Sequence, residues 1–417
     1  MEFNIPDDDL LLVHTADVLA KEFVPRARAY DDAAAFPQED FDRLRAEGFL
    51  KLAIPRELGG YGMWRDNRYI AYYLILAALA SGNASTGQLV QIQSHATGII
   101  ATHANESLKR RVLGDVVERG ALVASCGSEV DPNRVSSADG RAELEAVDGG
   151  FRLTSTKHFG SLAPAADYYV VYVMAPGAAS AAAGLTTVLV SKDDPGVSLH
   201  NNWDTMGMRA TISWSLVLEN VFIPWERVMG QPGDWVQHDP RTFTLAYVAN
   251  HLGTARGVYD FILEYLKQRP FLTNDDTITF TVGEMDSALQ ATRTSMCYAA
   301  WLWEQGRYDE GELAGMRALH TSKQAALMVT SKAFDVVGAR AAFRGLPVER
   351  AFRDVRTFSL HFRESALLRL LVQAELGGDF HSKQRYGPAI GRQSWAALGI
   401  IEPSTMSAAV EAGADDE

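Results

Sequence analysis

Two short segments of this chain combine backbone amides, a hydroxyl group and an aromatic ring in a way that suits a planar ligand. Gly127 and Ser128 follow one strand-like run, and a second run ends in Phe159-Gly-Ser161. Amides and hydroxyls can bind the edge of a heterocycle, and an aromatic side chain can cover its face. The alternative is that these are ordinary residues at strand ends.

Histidines offer a second kind of chemistry. A histidine side chain generally titrates near neutrality, so His361 could hold or release a proton during a reaction. His95 lies in an apolar helical run, where a histidine is also typical of a hydrogen-bonded core residue. Because His95 and His103 lack a third ligand nearby in the sequence, we predict no metal site.

Large aromatic side chains could line a substrate pocket, although each could equally be part of the core. The candidate pocket residues are Trp203, Phe243, Tyr247 and Phe362, with His95 as a polar group.

The elements that must position these residues change type twice along the chain. Residues 8–118 predict helices, with apolar runs at Tyr69–Leu79 and Thr86–Thr102. Short strand-like runs then follow one another and predict a compact β-barrel or sandwich. Long apolar repeats come last, at Leu245–Leu266, Val282–Gln305, Glu312–Val337 and Arg350–Leu376. These four repeats predict an up-and-down helix bundle.

The predicted fold is therefore mainly α with a central β-domain. We expect an N-terminal helical domain over residues 1–119, a β-barrel over 120–230 and a C-terminal four-helix bundle over 231–403. Residues 404–417 are small and acidic, which predicts a disordered tail.

Composition narrows the partners and the compartment. A formal net charge of −13 argues against nucleic acid as a partner. The two cysteines, Cys126 and Cys297, form no disulfide framework, and the acidic N-terminus is no secretory signal. No apolar stretch is long enough to span a bilayer. We therefore predict a cytoplasmic protein without a membrane partner.

A series of segments resembles the acyl-CoA dehydrogenase superfamily over nearly the whole chain. The segments are Ala46–Gly62, Leu153–Ser161, Trp203–Arg209, Val217–Pro224, Leu252–Gly257 and Pro347–Asp354. Their order matches that of the family. The resemblance implies the family's fold of helical domain, β-domain and helical bundle, together with a flavin cofactor.

The resemblance also implies roles for individual residues. Gly127 and Ser128 would contact the pyrimidine edge of the flavin, Phe159 would cover one side, and Ser161 would donate a hydrogen bond near N5. Two arginines are candidates for a flavin phosphate held across a subunit interface, because a guanidinium binds phosphate well. These are Arg269 and Arg340.

The chain departs from the family's dehydrogenases at their catalytic base. Counting from the matching segments puts Phe362 and Phe243 at the two positions where those enzymes carry a glutamate. Glu364 lies two residues further on, and a one-gap shift in the alignment would restore it as a base. The family's element for the FAD pyrophosphate is missing after Arg269, which favours FMN over FAD.

Arg353-Asp-Val-Arg-Thr-Phe-Ser-Leu-His361 instead resembles the branch of reduced-flavin-dependent monooxygenases, which includes dibenzothiophene monooxygenase and the amino-sugar N-oxygenases. This resemblance implies reduced FMN, or FAD, supplied by a separate flavin reductase, with O2 as co-substrate and a homotetrameric assembly. His361 and Ser161 would be the catalytic residues that form and protect the flavin C4a-hydroperoxide.

The sequence thus predicts a two-component monooxygenase that oxygenates an N, S or C atom of a small aromatic or amine-bearing metabolite. One alternative is an acyl-CoA or acyl-carrier thioester dehydrogenase with bound FAD. Another is a scaffold that keeps the assembly but binds no flavin, against which the retained Ser128 and Ser161 argue.

Overall fold

The computed structural model describes residues 3–129, 142–178, 180–234, 241–361, 364–378, 380 and 394–400. Helices occupy the first part of the chain, strands the middle and long helices the last part. This order confirms the predicted fold class. The domain boundaries after residues 119, 230 and 403 stay predictions, and the tail over 404–417 lies outside the described residues.

Five helices form the N-terminal part. They are α1 (Asp7–Ala33), α2 (Gln38–Ala46), α3 (Tyr69–Gly82), α4 (Ala84–His103) and α5 (Glu106–Arg119). The predicted helices at Tyr69–Leu79 and Thr86–Thr102 are confirmed as α3 and α4. Between them Asn83 is extended, and its side chain accepts a hydrogen bond from Ser85 N at 3.2 Å, which caps the start of α4.

The β-domain consists of two four-stranded sheets. Its strands are β1 (Val123–Cys126), β2 (Glu145–Val147), β3 (Gly150–Gly160), β4 (Tyr168–Met174), β5 (Leu185–Ser191), β6 (Val197–His200), β7 (Trp214–Pro224) and β8 (Val228–Met229), with a single-turn helix α6 (Ala181–Gly184) before β5. One sheet has the order β1-β4-β5-β8 and the other β2-β3-β7-β6. An isolated bridge between Ser128 and His158 links the end of β1 to β3.

The C-terminal helices are α7 (Arg241–Lys267), α8 (Asp276–Glu304), α9 (Tyr308–Val337), α10 (Pro347–Phe358) and α11 (Glu364–Glu375). The prediction of one helix over Arg350–Leu376 is wrong, because the chain leaves the helix after Phe358. Ser359 donates its hydroxyl to Arg356 O at 2.8 Å, and His361 N bonds Phe358 O three residues back. Such local bonds compete with the α-helical ladder. None of the described helices is long and apolar enough to cross a membrane.

Glycines bring α7 against α3. A Cβ atom at Gly253 would lie 2.1 Å from Ala77 O, and one at Gly257 would lie 2.2 Å from Ser81 O. Both positions therefore accept only hydrogen, and the two helices meet backbone to backbone. This contact accounts physically for the Leu252–Gly257 segment.

The loop 203–209, between β6 and β7, is fastened to α10. Met208 N donates to Asp354 Oδ1 at 2.6 Å, and a Cβ atom at Gly207 would lie 2.2 Å from Arg353 O. The Arg353 guanidinium also donates to Asp31 Oδ2 at 2.6 Å and thereby ties α1 to the same junction. Two of the segments that resemble the family therefore pack against each other, Trp203–Arg209 and Pro347–Asp354.

Replacement of Asp354 by Asn tests the charge at this junction. Burial raises the pKa of the Asp354 carboxyl from 3.8 to about 6, although Met208 N–H opposes the shift. Because the folded-state pKa is the higher one, the contribution of Asp354 to stability is complete below pH 3.8 and is lost as the pH rises through about 6. A shift of this size is worth about 3 kcal/mol. The free energy of unfolding of Asp354→Asn should therefore rise relative to wild type by up to that amount between about pH 4 and pH 7.

Urea unfolding of both proteins across this pH range measures the difference. Asp354→Ala is the control, since it removes the acceptor of Met208 N–H and should cost about 1–3 kcal/mol in the free energy of unfolding. Parallel stability profiles for wild type and Asp354→Asn would contradict the assignment of the charge.

Candidate functional site

Strained backbone marks one edge of the β-domain. Seven described residues other than glycine have a positive φ angle, and four of them lie at this edge: Phe159 (57°), Leu162 (74°), Met208 (54°) and Ile212 (41°). Tight turns accompany them, with Ser161 N donating to Phe159 O and Trp214 N to Ile212 O, each at 2.8 Å. Such conformations cost free energy and cluster at binding and catalytic sites. The clustering therefore supports a functional role for this edge.

A chain of buried hydroxyls runs inward from Ser161. Its Oγ lies 2.7 Å from Ser213 Oγ, which lies 2.7 Å from Thr211 Oγ1. Thr211 donates its single hydroxyl hydrogen to Met208 O at 2.8 Å. Thr211 must then accept from Ser213, and Ser213 from Ser161. Ser161 therefore donates into the protein and keeps its remaining capacity as a hydrogen-bond acceptor.

Phe159 is the exposed aromatic group of this edge. Its side chain is 60% exposed although the flanking Gly160 and Ser161 are buried. The ring of Trp203 stands edge-on to it, with centroids 6.2 Å apart, and Trp203 Nε1 donates to Met208 O at 3.0 Å. Phe159 and Trp203 thus form two perpendicular aromatic walls.

The end of β1 is held in place by a buried cation. Gly127 is half-buried and Ser128 exposed, and Ser128 O accepts from His158 N at 2.7 Å. The fully buried Lys157 ammonium pairs with Glu129 and donates to Tyr172 O at 2.7 Å. The ion pair fixes the strand end directly beside the Phe159–Ser161 turn.

His361 stands at the surface beside a buried tyrosine. Its Nε2 lies 2.6 Å from Tyr247 Oη, and the two rings stack with centroids 4.3 Å apart. The Tyr247 ring also stacks on Phe358, with centroids 4.7 Å apart. Tyr247 therefore packs against two rings, with its hydroxyl within hydrogen-bonding distance of His361.

His95, in contrast to the exposed His361, is buried. Its Nε2 lies 2.9 Å from Tyr172 Oη, and burial lowers its pKa to about 4. The imidazole is therefore neutral near neutral pH. This arrangement is typical of the hydrogen-bonded core histidine that was the alternative for His95.

The two arginines predicted to bind a flavin phosphate lie just after the ends of α7 and α9. The guanidinium of Arg269 stacks over Tyr265, 4.0 Å from the ring centroid, and Arg340 is exposed in the turn after α9. Within the described residues, no hydrogen bond joins either arginine to another predicted site residue. Phe362 and the side chain of Phe243 lie outside the described residues.

Glu364 is bound in an ion network that the sequence did not reveal. Lys323 Nζ donates to it at 2.9 Å, and His320 Nδ1 contacts its other oxygen. The hydrogen bond from Lys323 is the main cause that lowers the pKa of the Glu364 carboxyl. These partners come from α9, more than forty residues earlier in the chain, so local sequence patterns carry no signal of them.

Two cavities among the described residues differ greatly in size and place. The larger, about 400 Å³, lies between α1, α3, α7 and α8 and contains none of the predicted site residues. A smaller one, about 20 Å³, is lined by Tyr247, His251 and Glu364 among others. Among the described residues, no group of three or more potential metal ligands occurs.

Family models match three parts of the chain. The acyl-CoA dehydrogenase N-terminal domain matches residues 6–119, the middle domain residues 131–221 and the C-terminal domain residues 245–365. Dibenzothiophene monooxygenase of Mycolicibacterium goodii is 26% identical over 380 residues, covering 84% of this chain and 89% of its own. Benzylmalonyl-CoA dehydrogenase of Aromatoleum aromaticum is also 26% identical, covering 90% of this chain and 100% of its own.

A solved structure agrees with these matches. FMN-bound TdsC from Paenibacillus sp. A11-2 is 25% identical and superimposes with a TM-score of 0.81, covering 90% of this chain and 100% of its own. Monooxygenases and dehydrogenases thus resemble the chain equally well, and similarity alone does not choose the reaction. The chain belongs to the acyl-CoA dehydrogenase family, whose members are flavin-dependent oxidoreductases.

Proposed function

We propose that this chain is a flavin-dependent monooxygenase that receives reduced FMN from a separate reductase and transfers one oxygen atom of O2 to a small aromatic or amine-bearing metabolite. The observation that carries the proposal is the His361–Tyr247 pair, with 2.6 Å between Nε2 and Oη. His361 is a titratable group, and counting along the sequence puts phenylalanine at both positions where the dehydrogenases carry a carboxylate base.

The β-domain edge fits a flavin. The exposed Phe159 ring, the strained turns and the strand end at Ser128 provide a flat wall and polar groups within one edge. A reduced flavin, when bound, supplies the two electrons that reduce O2, so that one oxygen enters the substrate and the other leaves as water. Gly127 and Ser128 would bind its pyrimidine edge.

The polarity of the hydroxyl chain favours the reduced form of the cofactor. Reduced flavin carries a hydrogen at N5, whereas oxidised flavin has a lone pair there. Ser161 donates inward to Ser213 and remains an acceptor towards the outside. In our proposal it accepts from N5–H, a role opposite to the donor role that the resemblance suggested.

His361 would hold and deliver the proton that oxygen transfer requires. Tyr247, which itself stacks on Phe358, orients the His361 ring from one side and limits rotation of the imidazole. The buried aromatic stack also keeps water from that side of the histidine. Positioning a group in this way is a precondition for acid–base catalysis.

The dehydrogenase alternative needs a carboxylate base that is available to a substrate. The candidate carboxyl groups among the described residues are already bound by other protein groups. Glu364 has a lowered pKa because Lys323 and His320 bind it. Burial raises the pKa of five described carboxyls, and for two of these the value comes near neutrality, Asp354 at about 6 and Glu304 at about 7. Each is occupied by backbone amides, of Met208 and of Ile70 respectively.

The proposal extends to the assembly and the compartment. Large apolar side chains lie exposed on the C-terminal helical part, among them Phe271, Phe280 and Phe343, and a homotetramer would cover such surfaces. Both cysteines are buried and unpaired, which suits the cytoplasm. Arg269 and Arg340 remain our candidates for a flavin phosphate across a subunit interface.

Replacement of Ser213 by Ala should reverse the preference between the two redox states of the cofactor. Without Ser213 the Ser161 hydroxyl loses its inward acceptor and turns outward as a donor. The ratio of the dissociation constants of oxidised and reduced FMN should then fall about 30-fold, since a net hydrogen bond is worth about 1 kcal/mol and is lost in one state and gained in the other. Anaerobic titration with FMN and with photoreduced FMN measures both constants.

Thr186→Val is the matched control, since it removes a buried hydroxyl that bonds Met229 O in the other sheet. It should leave the ratio unchanged. An unchanged ratio in Ser213→Ala as well would contradict the role of Ser161 as acceptor.

Replacement of His361 by Asn should uncouple O2 consumption from oxygenation. Protein mixed anaerobically with photoreduced FMN is exposed to isotopically labelled O2 with an indole or dibenzothiophene probe. Product carrying the label is expected for wild type, and in His361→Asn the product should fall about 10²-fold while hydrogen peroxide replaces it. His200→Asn, an exposed histidine on β6, is the control and should behave as wild type.

The same preparation separates the two candidate reactions. Stoichiometric peroxide with every probe, together with bleaching of bound FAD by acyl-CoA compounds, would overturn the monooxygenase proposal in favour of the dehydrogenase.

A further inference from the structure

A small cavity lies directly behind the Tyr247–His361 pair. It lies between α7, α9, α10 and α11, and its lining includes Tyr247, His251, Lys323, Phe358 and Glu364. Its volume of about 20 Å³ suits one water molecule, because a water needs roughly 10–15 Å³ of such space.

The protonation of His251 follows from its neighbours. Ser322 donates its only hydroxyl hydrogen to Leu319 O at 3.0 Å, so that its Oγ can only accept from His251 Nδ1, 3.1 Å away. Burial lowers the pKa of His251 to about 3, so the ring is neutral. With the hydrogen on Nδ1, the other nitrogen, Nε2, is a hydrogen-bond acceptor.

This acceptor lacks a partner among the described residues. His251 is 2% exposed, and its Nε2 is buried without a hydrogen bond. Buried polar atoms are rarely left in this state, and an ordered water is the usual remedy. The ring edge that carries Nδ1 faces Ser322, so Nε2 lies on the opposite edge, the side available to the cavity that His251 lines.

We propose that the cavity binds one water molecule, which donates to His251 Nε2 and accepts from Tyr247 Oη. The Tyr247 hydroxyl, having donated to the water, then accepts from His361 Nε2 at 2.6 Å. Every hydrogen bond in this row points towards His251, because His251 can only accept. The row therefore holds the hydrogen of neutral His361 on Nε2.

Tyr247 is on this account a positioning residue rather than a wall of the substrate pocket. It fixes the tautomer of His361 and leaves Nδ1 as the ring atom that takes up and releases protons. The water site and the tautomer stand independently of the reaction, while their importance for oxygen transfer rests on the proposed function.

Nuclear magnetic resonance of the full-length, flavin-free protein tests the tautomer. With isotope-labelled histidine, the nitrogen chemical shifts show which ring nitrogen carries the hydrogen, and His361→Gln identifies the His361 signals. Wild type should show a protonated Nε2 above the pKa of His361. Tyr247→Phe keeps the ring in its stack but removes the hydroxyl, and the His361 shifts should move to those of a mixture of tautomers.

Ser322→Ala is the more discriminating variant, since Ser322 bonds His251 at the far end of the row from His361. It removes the group that fixes the His251 tautomer, so the His361 preference for Nε2–H should weaken here too. A purely structural role for Tyr247 predicts no such effect. Tyr259→Phe, three turns along α7 from Tyr247, is the matched control and should leave the His361 shifts unchanged.

A crystal structure of the same flavin-free protein should show one water within hydrogen-bonding distance of His251 Nε2. Three outcomes would each overturn the inference. They are a cavity without water, a hydrogen on His361 Nδ1, and His361 chemical shifts that change in neither Tyr247→Phe nor Ser322→Ala. Failure of the protein to bind FMN or to oxygenate any probe would instead count against the proposed function, because none of these measurements uses flavin.

Discussion

The junction between the loop 203–209 and α10 is the constraint on which the candidate site depends. Met208 N meets the buried carboxyl of Asp354, and Gly207 packs against the backbone of α10 without room for a side chain. The loop carries one aromatic wall of the site, and α10 leads directly into His361. This junction therefore fixes the position of the Trp203 wall relative to the helix that precedes His361.

That junction is held at a cost in stability. A carboxyl with a raised pKa is destabilising when ionised, and Met208 and Ile212 adopt backbone angles that few residues other than glycine tolerate. The large apolar core of the helices and sheets offsets these costs. Strain and buried charge concentrated in one place are what a pre-organised site requires.

Much of the fold could be predicted from the sequence because its signals are local. Apolar periodicity identifies α3 and α4, and the glycines of Leu252–Gly257 mark a close helix contact wherever it occurs. The break after Phe358 was missed, because apolar spacing continues through it while the hydroxyl of Ser359 bonds the backbone. Periodicity reports which face is buried and says nothing of such local competition.

The candidate site was predicted less completely, since its groups meet from distant parts of the chain. Ser213 looks like an ordinary residue at a strand start, and only its distance to Ser161 reveals a hydroxyl chain. The partners of Glu364 lie on another helix, and so does the Ser322 hydroxyl that fixes His251. The residue types of the site can be recognised in the sequence. The direction of each hydrogen bond follows only from the distances between residues that the fold brings together.

The backbone contact of α7 with α3 bears on how this protein can be adapted to new substrates. A side-chain interface can be repacked when one helix shifts, but Gly253 and Gly257 leave no side chain to repack. The position of α7, the helix that carries Tyr247 and His251, is thus fixed relative to α3. Changes of specificity must come from exchanging side chains or from the length and sequence of the loop 203–209, and not from sliding the helix.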